Sequence, residues 1–173
     1  GYGPVDALLK KFAGWQPASG KAGHLDERER DSYTTWLTAH RTAPAEMTGL
    51  TARLELVAGR PCFGLVMHLP AEHKAEWVLR SVESLRAQVW PDWRLIIFGS
   101  SDEVRGAMPP EPRIEFAGAA CDLPAGVTHA AAFGAGDLLE EDALAQVARC
   151  LDAQEDAVDL VWTDEDEISD TGF

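Results

Sequence analysis

Phe63-Gly64-Leu65-Val66-Met67-His68-Leu69, then Pro70, then a helical stretch from Ala71 to Trp90, then Trp93-Arg94-Leu95-Ile96-Ile97-Phe98-Gly99: this stretch decides the fold. The two apolar runs have strand length and no alternation, as expected of strands covered on both faces. Between them Val78, Val82, Leu85 and Val89 recur at spacings of four, three and four, the buried stripe of a helix. Pro70 ends the first run and Pro91 the helix. Downstream, Arg113 to Ala117 and Val127 to Phe133 read as a third and fourth strand. Leu138 to Ala153 reads as a helix and Asp159 to Thr163 as a fifth strand. Strand and helix alternate, which predicts an α/β domain with a mostly parallel sheet.

Upstream, Val5 to Phe12 is a short amphipathic helix followed by a Gly/Pro/Ser loop. Leu25 to Arg41 is a second helix that stops before Thr42-Ala43-Pro44-Ala45. Residues 1–60 therefore read as a helical N-terminal extension and residues 61–173 as the main domain. With 173 residues and 46% hydrophobic content the chain can bury a core. No apolar run approaches the ~18–20 residues of a membrane span. No signal-peptide pattern is present, so a cytoplasmic location is expected. Cys62, Cys121 and Cys150 are odd in number and lack metal-site spacing, which predicts small buried hydrophobes in a reducing compartment.

The net charge is −14, and residues 137–170 hold 13 acids against one base, Arg149. Such a surface repels a phosphate backbone, and no basic stripe interleaved with aromatics occurs, so nucleic acid is not an expected partner.

In open α/β sheets, ligands bind beyond the carboxyl ends of the strands. Four such ends can be read here: Leu69-Pro70, Gly99-Ser100-Ser101-Asp102, Gly134-Ala135-Gly136-Asp137 and Asp164-Glu165-Asp166-Glu167. Oxygen-rich clusters of this kind suit Mg²⁺ or Mn²⁺. Each has a plainer reading beside it. Asp137 at a helix start is a cap or a dipole partner, and Ser100, Ser101 and Asp102 make turns of their own. Asp164, Glu165 and Asp166 form a solvated acidic turn. His68 is a core or rim histidine, and Trp36, Trp77, Trp90, Trp93 and Trp162 are core and interface anchors.

Several segments, in order, carry a family likeness. They are Tyr33-Thr34-Thr35-Trp36-Leu37-Thr38-Ala39-His40, Leu65 to Pro70, Ser81 to Leu95 with its Gln88-Val89-Trp90-Pro91-Asp92-Trp93 turn, and Trp162-Thr163-Asp164-Glu165-Asp166-Glu167. The chain resembles the inverting family 2 glycosyltransferases, more narrowly a bacterial subgroup serving O-antigen and other cell-surface polysaccharides. The resemblance implies a GT-A-like, three-layer α/β/α (Rossmann-like) domain that transfers a sugar from a nucleotide-diphosphosugar to a glycan acceptor, using Mn²⁺ or Mg²⁺. It implies nucleotide contacts at Leu69, Pro70, Ser100, Ser101 and Asp102, and metal contacts at Asp137, Asp164, Glu165 and Asp166.

The departures from the family pattern are specific. The acid expected after the second strand is absent or displaced to Asp102. The Asp-x-Asp metal motif falls on Gly134-Ala135-Gly136, which could serve only as a backbone anion nest. Only Ala119 to Gly126 fills a gap where the family places about two dozen residues, and the acceptor-binding half lies beyond Phe173. The expectation is a glycosyltransferase-like domain with weakened or lost catalysis, completed by a homodimer or a missing downstream domain. The alternative is a non-catalytic scaffold domain of a polysaccharide-assembly complex.

Overall fold

The computed structural model describes residues 32, 35, 36, 38, 39, 41–54, 56, 57, 59–69, 73–99, 102–118, 122–154, 156, 158, 160 and 161. The elements in chain order are α1 (Pro44–Leu54), β1 (Phe63–His68), α2 (Ala75–Arg86), β2 (Trp93–Phe98), α3 (Asp102–Ala107), β3 (Ile114–Ala117), β4 (His129–Ala132) and α4 (Ala143–Asp152). The four strands form one sheet in the order β3-β2-β1-β4, and every pairing is parallel. This is an α/β fold. Among the described residues no helix is long and apolar enough to cross a membrane.

The two apolar runs become the central strands because only the middle of a parallel sheet keeps both faces dry. Their odd positions, Phe63, Leu65, Met67, Leu95 and Ile97, join one core cluster. All four helices add buried residues to it: Leu50 and Leu54 from α1, Val78, Val82 and Leu85 from α2, Val104 from α3, and Leu144, Ala145 and Ala148 from α4. Val66, Ile96 and Phe98 form a second cluster on the opposite face, against Ala117 and the loop residue Leu123, and none of the four helices contributes to it.

Two helices absent from the sequence expectations are present. In α1, Pro44 occupies the first turn, where its missing N–H costs nothing, and Glu46 accepts from the Ala43 amide. Its Leu50 and Leu54 belong to the main core, so this part of the N-terminal segment is packed into the domain. The short α3 begins at Asp102, in the segment read as a loop. Thr35, Trp36 and other described residues of the expected 25–41 helix are helical. The 5–12 helix lies outside the described residues. So does most of the expected fifth strand, of which Leu160 and Val161 carry no strand pairing.

Two expected helices are shorter than their apolar periodicity. The structure gives Ala75–Arg86 rather than 71–90, and Ala143–Asp152 rather than 138–153. The physical cause is a set of hydrogen bonds between α2 and the 134–144 segment.

Trp90 and Trp93 are fully buried, but only one has its indole N–H satisfied. Trp90 Nε1 donates to the Pro61 carbonyl at 3.0 Å, whereas Trp93 Nε1 has no hydrogen-bond partner. The Arg113 guanidinium lies 3.9 Å over the Trp93 ring and chelates Glu111 through Nε and Nη2. That bonding holds the Glu111 carboxyl below its ordinary range. Both Trp→Phe changes remove similar volume. Trp90→Phe also orphans a buried carbonyl, whereas Trp93→Phe deletes an orphaned donor. Urea unfolding should therefore find Trp90→Phe the more destabilising by about 1–3 kcal/mol.

Of the cysteines expected to be buried, Cys62 is half-buried and Cys150 is exposed on α4; both are free thiols. Burial pushes the Cys62 thiol up from its ordinary value. Cys121 lies outside the described residues.

Candidate functional site

The strand order reverses between β1 and β4. From β1 the chain proceeds through β2 to β3 on one side. It then crosses back to lay β4 on the other side of β1. The connections leaving β1 and β4 both pass to the face that carries α2 and α4, and there they bond to each other. Leu69 and the turn Gly134–Asp137 follow the carboxyl ends of these two strands, the end of a parallel sheet at which ligands bind.

Leu69 is a core residue, 3% exposed, whose amide donates to the Phe98 carbonyl at 2.9 Å. Gly99, just past β2, has φ +76°, and a Cβ there would stand 2.8 Å from the Leu69 carbonyl oxygen. Asp102 is exposed at the start of α3. Pro70, Ser100, Ser101, Asp164, Glu165 and Asp166 lie outside the described residues. Of the expected aromatic anchors, Trp36 and Trp77 are exposed rather than buried, and Trp162 lies outside the described residues. His68 is the exposed end of an otherwise buried β1.

The turn after β4 is closed by its own groups. The Asp137 carboxylate accepts from the Gly134 amide at 2.6 Å, and the Asp137 amide donates to the Gly134 carbonyl at 3.2 Å. The Gly136 amide donates to Ser81 Oγ at 2.8 Å, with Gly136 at φ +104°. Ser81 Oγ in turn lies 3.1 Å from the Trp77 carbonyl and 3.4 Å from that of Gly134. A backbone anion nest on Gly134-Ala135-Gly136 requires free amides pointing at the ligand. Two of the three already serve Asp137 and Ser81, so this turn does not present the free amides a nest needs.

The Gly134–Asp137 turn offers one carboxylate, itself hydrogen-bonded to Gly134, and no second ligand. Among the described residues there is no group of three His, Cys, Asp or Glu side chains able to hold a metal.

What sequence reasoning missed is a polar row along α2 and just past its end. Ser81 and Ser84 on the helix and Gln88 two residues beyond it, at spacings of three and four, bind the segment that follows β4. Ser84 Oγ accepts from the Leu139 amide at 3.2 Å and donates to the Ser81 carbonyl at 2.8 Å. Gln88 Nε2 donates to the carbonyls of Glu140 at 2.6 Å and Ser84 at 3.2 Å, while its Oε1 accepts from the Leu144 amide at 3.0 Å. The Val89 amide adds a bond to the Glu141 carbonyl at 2.9 Å. Residues 139–141 thus bond outward to α2 and to Gln88 and Val89 beyond it, and α4 begins only at Ala143. From the other side Arg41 pairs with Glu140 at 2.7 Å, and Thr42 Oγ1 donates to the Asp142 carboxylate. The signal in the sequence was the helical spacing of three amide- and hydroxyl-bearing residues next to a buried stripe.

No known family model matches the chain, and no curated protein is detectably similar to it in sequence.

Proposed function

We propose that the chain is the donor-binding half of a family 2 glycosyltransferase-like domain of bacterial surface-polysaccharide synthesis, with catalysis weakened or lost. The observation that supports this reading is the all-parallel β3-β2-β1-β4 sheet. The resemblance assigns contacts to Leu69, Asp102 and Asp137, which follow β1, β2 and β4 at their carboxyl ends. A nucleoside diphosphate would lie across the carboxyl ends of β1 and β2. Its diphosphate would approach the β4 end, where the resemblance puts Mn²⁺ or Mg²⁺ and this chain offers Asp137. Any further carboxylate for that ion would have to come from Asp164, Glu165 and Asp166.

The second reading, a non-catalytic scaffold domain, is favoured by one specific observation. The turn where the family binds its metal is folded onto itself through Asp137 and Ser81. A thermal-shift titration with UDP, GDP, dTDP and CDP, each with and without Mn²⁺, separates the two. A ligand that binds only the native state raises its melting temperature by mass action. The first reading expects a metal-dependent rise of a few degrees with one nucleotide. No rise with any of them, together with stable self- or hetero-association, would establish the second.

A further inference from the structure

Helix α2 has an outward face besides its core and polar rows. Leu79 on that face, Ala107 on α3 and Leu138 just past the site turn line an open groove of about 610 Å³. Leu138 is 36% exposed and Leu79 half-buried, so the floor is apolar and uncovered by other described residues. Glu76, Glu83 and Glu103 rim it, with Arg80 the one basic lining residue. Glu83 is paired with Arg86 at 3.1 Å, whereas Glu76 and Glu103 have no ion-pair partner among the described residues. An apolar groove with an acidic rim matches an amphipathic helix that carries apolar anchors and basic flanks.

The sequence of this chain offers one candidate. Val5, Leu8, Leu9 and Phe12 stand at i, i+3, i+4 and i+7, the anchor spacing of a groove-bound helix, with Pro4 at its start and Gly14 after its end. Lys10 and Lys11 adjoin the anchors, and residues 1–23 carry three lysines against one aspartate in a chain of net charge −14. A helix this short is marginal alone and needs a surface to fold on. Residues 13–31 can span at most roughly 65 Å when extended, ample for a small domain. We propose that the α2/α3 groove is the docking site of this chain's own residues 5–12, held by Leu8, Leu9 and Phe12 on the apolar floor and by Lys10 and Lys11 against Glu76 and Glu103. Through Leu138 the docked segment would lie next to the Gly134–Asp137 turn.

The test uses the full chain with benzoylphenylalanine in place of Phe12, irradiated at low concentration and mapped by mass spectrometry. The expected products are monomeric, with crosslinks to Leu79, Ala107 or Leu138. Lys10→Glu with Lys11→Glu should lower the yield about two- to fivefold, the range for one or two exposed ion pairs. Glu76→Lys with Glu103→Lys in the same chain should restore it. Native-like urea midpoints for these surface variants keep the comparison free of unfolding. Crosslinks elsewhere, no crosslink, or a yield indifferent to both charge reversals would overturn the proposal. The same crosslinks in a covalent dimer would overturn docking within one chain and assign the groove to a second copy.

Discussion

Gln88→Ala is expected to lower stability by about 2–4 kcal/mol, which for a chain of this size is a fall of about 5–12 °C in Tm. The side chain is 7% exposed and fills all of its local hydrogen-bonding roles at once. Truncation leaves the buried Leu144 amide without its acceptor, while the Glu140 carbonyl loses one of two donors and keeps the Ala143 amide at 2.9 Å. An orphaned buried group of this kind costs about 1–3 kcal/mol. Gln88→Met is the informative companion, since it keeps the stem that packs beside Leu85 and removes only the amide. If hydrogen bonding dominates, Met and Ala lose similar stability in urea unfolding, and amide exchange at Leu144 accelerates in both. A full rescue by Met would show that packing, rather than the amide, holds the 138–144 segment.

That segment also marks where the sequence was legible and where it was not. Phe63–Leu69 and Trp93–Gly99 could be read as central strands because fully buried parallel strands have no polar alternation to confuse with anything else. The α2 stripe was equally plain, and Val78, Val82 and Leu85 are indeed fully buried. Helix ends were not legible, because hydrophobic period does not register which amides are taken by side chains from elsewhere in the chain. Leu138 and Leu139 continue the apolar spacing of α4, yet the Leu139 amide belongs to Ser84, more than fifty residues away. Likewise Asp102 was read within a loop, although it opens a six-residue helix.

Sheet topology bears on the expected fifth strand too. Helix α4 packs into the same core cluster as α2, on the odd-numbered face of β1 and β2. A right-handed crossover through a helix on that face is the move that leads from β1 to β2. From β4 the same move ends at the position of β1, already filled. Of the expected strand, the described Leu160 and Val161 pair with no other strand. Local sequence carries the apolar content of a strand, but the face on which the preceding helix lands is decided by contacts such as Gln88 to Leu144.

At the candidate site the division is similar. The carboxyl ends of the strands could be read from sequence, and Asp137 is bonded in the manner of a local cap. That Ser81 would take the Gly136 amide could not be read, because it joins residues separated by an entire αβ unit. The result is a site turn whose shape is set by α2. A turn prearranged in this way holds its geometry without ligand, and its amides are already engaged.

The largest single-site effect is expected at the other strand end. Gly99→Ala should cost about 2–5 kcal/mol, from two separable sources. The first is conformational: at φ +76° a residue with a Cβ sits in the left-handed region, a strain of order 1–3 kcal/mol. The second is contact. The new Cβ would lie 2.8 Å from the Leu69 carbonyl oxygen, and that oxygen cannot retreat cheaply, because the adjacent Leu69 amide is bonded to the Phe98 carbonyl at 2.9 Å. Relief requires β1 and β2 to separate at their carboxyl ends. Gly126→Ala isolates the first source, since Gly126 has φ +90° and a Cβ there would meet nothing within 4 Å. Urea unfolding of both variants should leave Gly99→Ala the less stable by about 1–3 kcal/mol, the overpacking share. Equal losses would mean that the Leu69–Gly99 approach constrains nothing. Unequal losses would locate a rigid point at the carboxyl ends of β1 and β2, where Leu69 and Gly99 meet.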